Sequence, residues 1–297
     1  MTVVVTGASS FIGRFLVNEL FRREYDCIAV VRRGFLDKSI FDQPVRVVEA
    51  DMSDYKELIS YTGKADCLIN LSWIGTRGAD RMDSCQQEKS FNYSMDAIKC
   101  FADSGVKYVF TAGSQAEYGR INGYIKETDE PVPNTEYGKY KLKLFEAASD
   151  YCESRGVKLI EPRFFSLFGP GDYKGSMIMD ILFKMIRGEE CNLTMGIQMW
   201  DYLYIRDAID AVIALMSDKV EPGAYNVASG NARKLKDYVL EMKRITGSTS
   251  SLNFGIIPYP ASGMVSIMAD IGKIQSNTGW SAKTSFEEGL REVIQSL

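Results

Sequence analysis

The chain has 297 residues, 45% hydrophobic and 25% charged, with 35 Lys and Arg against 39 Asp and Glu, six cysteines and no histidine. With no imidazole there is no Ser-His-Asp or Cys-His nucleophilic apparatus and no histidine-ligated metal, so any acid or base must be Asp, Glu, Tyr, Lys or Cys. A net charge of −4 built from interspersed signs offers no basic face to nucleic acid and no polybasic anchor to a membrane, which leaves small molecules and a second copy of the chain as expected partners.

The first strand is expected at residues 2–6 and the first amphipathic helix at 11–22. Further strands are expected at 27–31, 45–49, 67–71, 108–111 and 158–161, each almost continuously apolar, as in a sheet covered on both faces. Helical spacing recurs at 82–104 and 137–155. Such alternation predicts an α/β fold, a Rossmann-like doubly wound parallel sheet. After Pro162 the texture turns to Gly and Pro punctuation (PRFFSLFGPGD), then to helical patterns at 176–187, 206–217, 234–246 and 285–296. A smaller, mixed α/β C-terminal lobe is therefore expected over 166–297, with 198–217 packing back on the first 165 residues. Cys27, Cys67, Cys85, Cys100, Cys152 and Cys191 stand singly, without a Cys-x-x-Cys pair, and are expected to be reduced, mostly buried thiols. No metal site is expected. No apolar run reaches the ~18 residues of a membrane span, and MTVVVTG lacks the basic-then-apolar pattern of a signal peptide, so a cytoplasmic location is expected.

The first strand runs directly into Gly7-Ala8-Ser9-Ser10-Phe11-Ile12-Gly13 and a helix. Gly7 permits a tight turn, Gly13 lets helix pack closely on strand, and the helix N-terminus offers N–H groups and a positive dipole end to a pyrophosphate. Between the first strand and first helix of an alternating pattern, this turn marks residues 1–165 as a dinucleotide-binding domain, with Gly7, Ser9, Ser10, Phe11, Ile12 and Gly13 at the cofactor. The second strand ends in Arg32 and Arg33. A carboxylate there would bond the ribose 2′-hydroxyl of NAD, whereas arginine suits the 2′-phosphate of NADP. NADP(H) is therefore expected, with NAD(H) as the alternative. Asp51 and Met52 follow the third strand, where a side chain can reach the adenine.

Tyr137 and Lys141 are one helical turn apart and project from one face near the start of a helix. Ser114 lies just past the strand at 108–111, at the carboxyl end of the sheet where ligands of such folds bind. Together with the glycine turn, and with DMSD, NYSMDAIKCFADSGVKYVFTAGSQAEYG, YGKYK, PRFFSLFGPGD, WDYLYIRDAIDAV and MADIGKIQSNTGW in order, these residues resemble the extended short-chain dehydrogenase/reductase family, in its nucleotide-sugar branch. The resemblance covers essentially the whole chain. It implies a bound nicotinamide dinucleotide, a nucleotide-sugar substrate and a homodimer packed through two helices per subunit, here 82–104 and 137–155. It also implies Ser114, Tyr137 and Lys141 as the catalytic group, and further cofactor contacts from Leu71, Ser72, Trp73, Arg163, Phe164 and Ser166. Tyr137 would exchange a proton with the substrate oxygen, Lys141 would hold a positive charge near the phenol, and Ser114 would hydrogen-bond the reacting oxygen.

The departures from the family pattern discriminate among its reactions. Dehydratases carry an Asp-Glu pair after the Ser or Thr; here those places are Gln115 and Ala116, and Glu117 comes one position late. Dehydration is not expected. GSQAEYG, QMWDYLYIRD and the loop WIGTRGADRMD look like those of reductases acting on nucleotide-linked 4-keto-6-deoxyhexoses, so the leading expectation is an NADPH-dependent 4-keto reductase. An NAD-dependent 4-epimerase is the second reading, and a non-catalytic NADP-binding sensor the third. Epimerases of the branch carry Arg before the Asp-Tyr/Phe pair, where this chain has Trp200, and PASGMVSIMAD carries no Arg. The substrate diphosphate then needs another clamp. Lys174, Arg187 and Arg233 are candidates from the second lobe, Arg77 and Arg81 from the first, with Gln115, Phe165 and Trp200 also near the substrate.

Overall fold

The computed structural model describes residues 1–297 apart from Leu36, Gln43, Asn122, Ala261 and Ser262; the last two belong to the arginine-free PASGMVSIMAD segment. The core elements are β1 (Thr2–Thr6), α1 (Phe11–Arg22), β2 (Asp26–Val31), β3 (Arg46–Glu49), β4 (Cys67–Asn70), α2 (Ser84–Asp103), β5 (Tyr108–Thr111), α3 (Glu136–Glu153), β6 (Lys158–Phe164) and β7 (Gly223–Val227). The strands pair in parallel in the order β3-β2-β1-β4-β5-β6-β7. Successive side chains of a strand leave opposite faces, and here both faces are dry: Val3 and Val5 join a core with Leu16 and Leu20 of α1, while Val4 joins another with Ile98 and Phe101 of α2 and Leu144 of α3. This Rossmann-like sheet with flanking helices is the fold class read from the alternating pattern. Strand order reverses between β1 and β4, which opens a crevice at their carboxyl ends.

Helix starts are set by side-chain caps. Ser10 accepts from the Gly13 N–H at 3.1 Å, Asp83 from the N–H groups of Cys85 and Gln86, and Thr135 from that of Gly138. Asp83 explains why α2 begins at Ser84 and leaves Met82 outside. β6 outruns its expected end at Glu161 and continues through Pro162. Beyond Ile160 its β5 side is open until Gly113–Ser114 pairs with Arg163 and Phe164, so the N–H that Pro162 lacks falls where no partner strand needs it.

Past Phe164 the chain forms short two-stranded pairs: Ser166–Phe168 with Tyr202–Tyr204, Cys191–Leu193 with Leu252–Phe254, and Met199–Trp200 with Arg233–Lys234. Phe168, Tyr202, Tyr238 and Phe286 close their core with ring centroids 4.7–6.3 Å apart. Helix Ile205–Ala214 lies against α1, where Asp210 pairs with Arg23. β7, in the part read as the second lobe, is the sheet's outer strand on β6. Its buried Asn226 accepts from the Tyr118 hydroxyl at 2.7 Å and donates to the carbonyls of Ile125 and Asp270. All six cysteines are free, and Cys27, Cys67, Cys152 and Cys191 are buried. Among the described residues no helix is long and apolar enough to cross a membrane.

Candidate active site

The crevice at the strand-order reversal opens into a cavity of about 620 Å³. Gly7, Ser9, Ser10, Arg32, Asp51, Met52, Leu71, Ser72 and Trp73 line it. Gly7 has φ +64°, and a Cβ there would stand 2.9 Å from the Ser72 nitrogen, so the β1 and β4 turns approach as closely as backbone allows. A Cβ on Gly13 would press 2.8 Å from the Ala8 backbone, which is why the helix can begin so near the turn. The first-turn N–H groups of Phe11 and Ile12 have no intrahelical acceptor and carry the positive dipole end. This cradle and donor set fit a dinucleotide pyrophosphate. At the far rim the two arginines part company. Arg32 lines the cavity, whereas Arg33 bonds Asp54 at 2.8 Å, lies 3.7 Å from Asp51 and rests over the Tyr61 ring.

At the same edge of the sheet stand Ser114, Tyr137 and Lys141. Ser114 acts on the Tyr137 phenol, and the Ser114 hydroxyl oxygen accepts from the Ala116 N–H at 3.2 Å. Gly138 lets α3 press on this turn, since a Cβ there would lie 2.9 Å from the Ala116 carbonyl carbon. The Trp73 ring meets Tyr137 edge-on at 6.2 Å and covers the Lys141 ammonium at 3.9 Å, held there by its indole N–H donating to Gln87 Oε1. Lys141, 3% exposed, donates to the Ala112 carbonyl at 2.8 Å. Burial pushes its ammonium down to about 8, against the opposing pull of Glu117 and Glu161. Burial holds the Tyr137 phenol above its ordinary value, with Arg81, 4.5 Å from the ring centre, and Ser114 acting the other way.

The remaining candidates are scattered. Arg163, expected at the cofactor, has its guanidinium in the interior, with Nε 2.9 Å from both Glu117 and Glu161. Two buried carboxylates need a cation more than an exposed ligand does. Phe164 and Phe165 are buried, and the Ser166 hydroxyl accepts from the Trp200 indole at 2.7 Å. Trp200 is paired in register with Arg233, which bonds Glu241 at 2.6 Å. Arg77 rests on the Tyr173 ring at 4.3 Å, reaching from the β4 side to the segment after Gly171. Lys174 is exposed, and Arg187 lies at the end of helix Met177–Arg187, 3.5 Å from Glu189. Gln115 keeps a buried Oε1 without a hydrogen-bond partner among the described residues. Sequence reasoning missed the Glu117–Glu161–Arg163 group; its one signal was the glutamate and arginine two apart inside the strand KLIEPRF.

A glycine turn at the switch point of a parallel sheet, with a serine, a tyrosine and a lysine at the same edge, is the arrangement of a dinucleotide-dependent oxidoreductase. The chain belongs to the NAD dependent epimerase/dehydratase family, whose model matches residues 3–228, and is an enzyme of the extended short-chain dehydrogenase/reductase type. It is 22% identical over 98% of its length to CDP-abequose synthase of Salmonella muenchen, covering 96% of that protein. Identity to the dTDP-6-deoxy-L-talose 4-dehydrogenase (NAD(+)) of Aggregatibacter actinomycetemcomitans is 25%, over 81% of this chain and 89% of the relative. The fold superposes on a UDP-glucose 4-epimerase of Thermotoga maritima with a TM-score of 0.89 at 21% identity, covering 100% of this chain and 98% of the other.

Proposed function

We propose that this enzyme reduces the 4-keto group of a nucleotide-activated 6-deoxyhexose, with NADPH as the hydride source. The observation that carries the reading is the buried Tyr137 phenol, at the same sheet edge as Ser114 and packed edge-on against Trp73 of the dinucleotide cavity, where burial favours its protonated form. A phenol that holds its proton suits donation to an oxygen that is gaining charge. When bound, the nicotinamide ring supplies hydride to the carbonyl carbon. The Ser114 hydroxyl and the Tyr137 phenol meet the carbonyl oxygen, Tyr137 gives up its proton, and the carbonyl becomes a carbinol. Lys141 and Arg81, 5.8 and 4.5 Å from the Tyr137 ring centre, offset the charge of the phenolate that remains. Gln115 and Ala116 provide no acid-base pair for eliminating water. The unpartnered Gln115 oxygen suits a sugar hydroxyl, and Arg77 is the cation we assign to the diphosphate, because the Arg233 guanidinium is engaged by Glu241. Relatives named for a CDP-sugar synthase and a dTDP-sugar 4-dehydrogenase support the substrate class. The preference for NADPH rests on Arg32, because the Arg33 guanidinium is engaged by Asp54.

The test mixes purified enzyme and NADPH with CDP-, dTDP-, UDP- and GDP-linked 4-keto-6-deoxyhexoses and follows near-ultraviolet absorbance. We expect it to fall with at least one substrate and not with Tyr137→Phe; no turnover across the panel sinks the reading. A 4-epimerase is the second reading, favoured by the carboxylates Asp51 and Asp54 around Arg33. It predicts tightly held NAD in the purified protein. A homodimer formed through α2 and α3, which pack side by side with Tyr151 bonded to Asp103, belongs to the same proposal and is checked by molar mass in solution.

A further inference from the structure

We propose that the buried Glu117–Glu161–Arg163 cluster is a positioning device for the reaction, holding Ser114 and Lys141 in their working arrangement from beneath. The proposal rests on the assignment of Ser114, Tyr137 and Lys141 above. All three cluster residues are almost fully buried, and one atom, Arg163 Nε, stands 2.9 Å from a carboxylate oxygen of each glutamate. The segment above them is clamped at both ends. Glu117 Oε1 accepts the Ser114 N–H at 2.6 Å, and Lys141 donates to the Ala112 carbonyl at 2.8 Å. Between these two bonds, Gly113 lies flat on the cluster: a Cβ there would stand 2.7 Å from Glu161 Cγ and 2.8 Å from Arg163 Cγ. The residue that would polarise the carbonyl and the lysine that would offset the phenolate are thus tied to one three-residue stretch, and the cluster is its floor.

Packing alone does not call for such a floor. Buried ion groups can be replaced by apolar side chains of similar volume at little or no loss of stability. What an apolar floor could not do is balance charge. Two carboxylates face two cations, Arg163 and Lys141, and Lys141 has no other carboxylate among the groups acting on it. The titratable and charged groups around the ammonium are Glu117 from the turn after Ser114, Glu161 and Arg163 from β6, and Tyr137 from its own helix, with Arg81 beside Tyr137. Burial raises both the Glu161 and the Glu117 carboxyl, Arg163 acts the other way on each, and both glutamates favour the charged form of Lys141. Glu117 has the stronger pull on Lys141 of the two.

Trp73 gives a readout that needs no substrate, because its ring lies 3.9 Å from the Lys141 ammonium. Tryptophan fluorescence of the full-length protein is titrated with alkali. The wild type should show a transition near pH 8 that Lys141→Met and Trp73→Phe each remove. Glu117→Gln should lower its midpoint by about one pH unit, the effect of removing one nearby opposite charge. Glu161→Gln, which removes the weaker of the two pulls on Lys141, should move it less. Should Glu117→Gln not fold, the apolar triple variant Glu117→Leu/Glu161→Leu/Arg163→Met takes its place with the same expected fall. A midpoint unchanged in Glu117→Gln or in the triple variant overturns the proposal, and failure of both to fold makes the cluster purely structural and overturns it as well. Turnover surviving Tyr137→Phe would instead sink the site assignment, so the two failures are distinguishable.

Discussion

Replacing Lys141 by methionine should make the protein more stable at neutral pH and less stable in alkali. The side chain is 3% exposed, and its ammonium is displaced from 10.5 to about 8, a penalty of about 3 kcal/mol for carrying the charge at pH 7. Methionine removes that penalty. It also forfeits the hydrogen bond to the Ala112 carbonyl, about 1 kcal/mol, and the contact with the Trp73 ring, about 1 kcal/mol, leaving a net gain of about 1 kcal/mol. Between pH 8 and the ordinary lysine value the unfolded chain binds the proton and the folded chain does not, so wild-type stability rises with pH through that window. At pH 9.5 about 2 kcal/mol of the penalty is gone, and the order of the two proteins reverses. Urea unfolding of wild type and Lys141→Met at both pH values measures this, and other titrating groups cancel in the difference. A difference that does not move with pH would refute the reasoning.

Three further outcomes are expected. Gly13→Ala forces a Cβ to within 2.8 Å of the Ala8 backbone and should cost about 2 kcal/mol of stability along with most NADPH affinity, read by urea unfolding and fluorescence titration. Arg32→Ala should weaken NADPH binding about tenfold while leaving NADH binding unchanged, and Arg33→Ala should do less because its charge is already paired with Asp54. Ser285→Ala removes the cap shared with Glu288 at the start of helix Phe286–Gln295 and should cost about 1 kcal/mol in urea unfolding without altering dinucleotide affinity.

The inner strands were legible because a strand buried on both faces is written as an unbroken apolar run, and Val3, Val4 and Val5 are such a run. β7 was not. Its GAYNV contains Asn226, whose polarity is satisfied only by Tyr118, Ile125 and Asp270 from elsewhere in the chain, so nothing local marks it as sheet. The same division holds at the site. Tyr137 and Lys141 share a helix face and could be paired by spacing, and Ser114 could be placed by its strand. That Arg163 turns inward to Glu117, and that Arg33 turns to Asp54, depends on contacts between residues 46 and 21 positions apart, which no periodicity encodes; only the Glu161–Arg163 pair follows from the two-residue repeat of a strand.

The return of the chain to the sheet at β7 bears on how far the molecule can be taken apart. Between Phe164 and Gly223 it leaves the parallel sheet, completes one small strand pair and lays down one strand of two others, then adds the strand that covers β6, and only afterwards completes those two pairs with Arg233–Lys234 and Leu252–Phe254. A fragment ending near residue 165 would expose the β6 edge and strip Tyr118 of the Asn226 that bonds its hydroxyl, and the complementary fragment would carry a strand with nothing to pair against. Neither half keeps its sheet contacts alone, so unfolding should be a single cooperative event. A chimera that grafts the distal half of a relative must bring its own outer strand and the matching face of β6 with it.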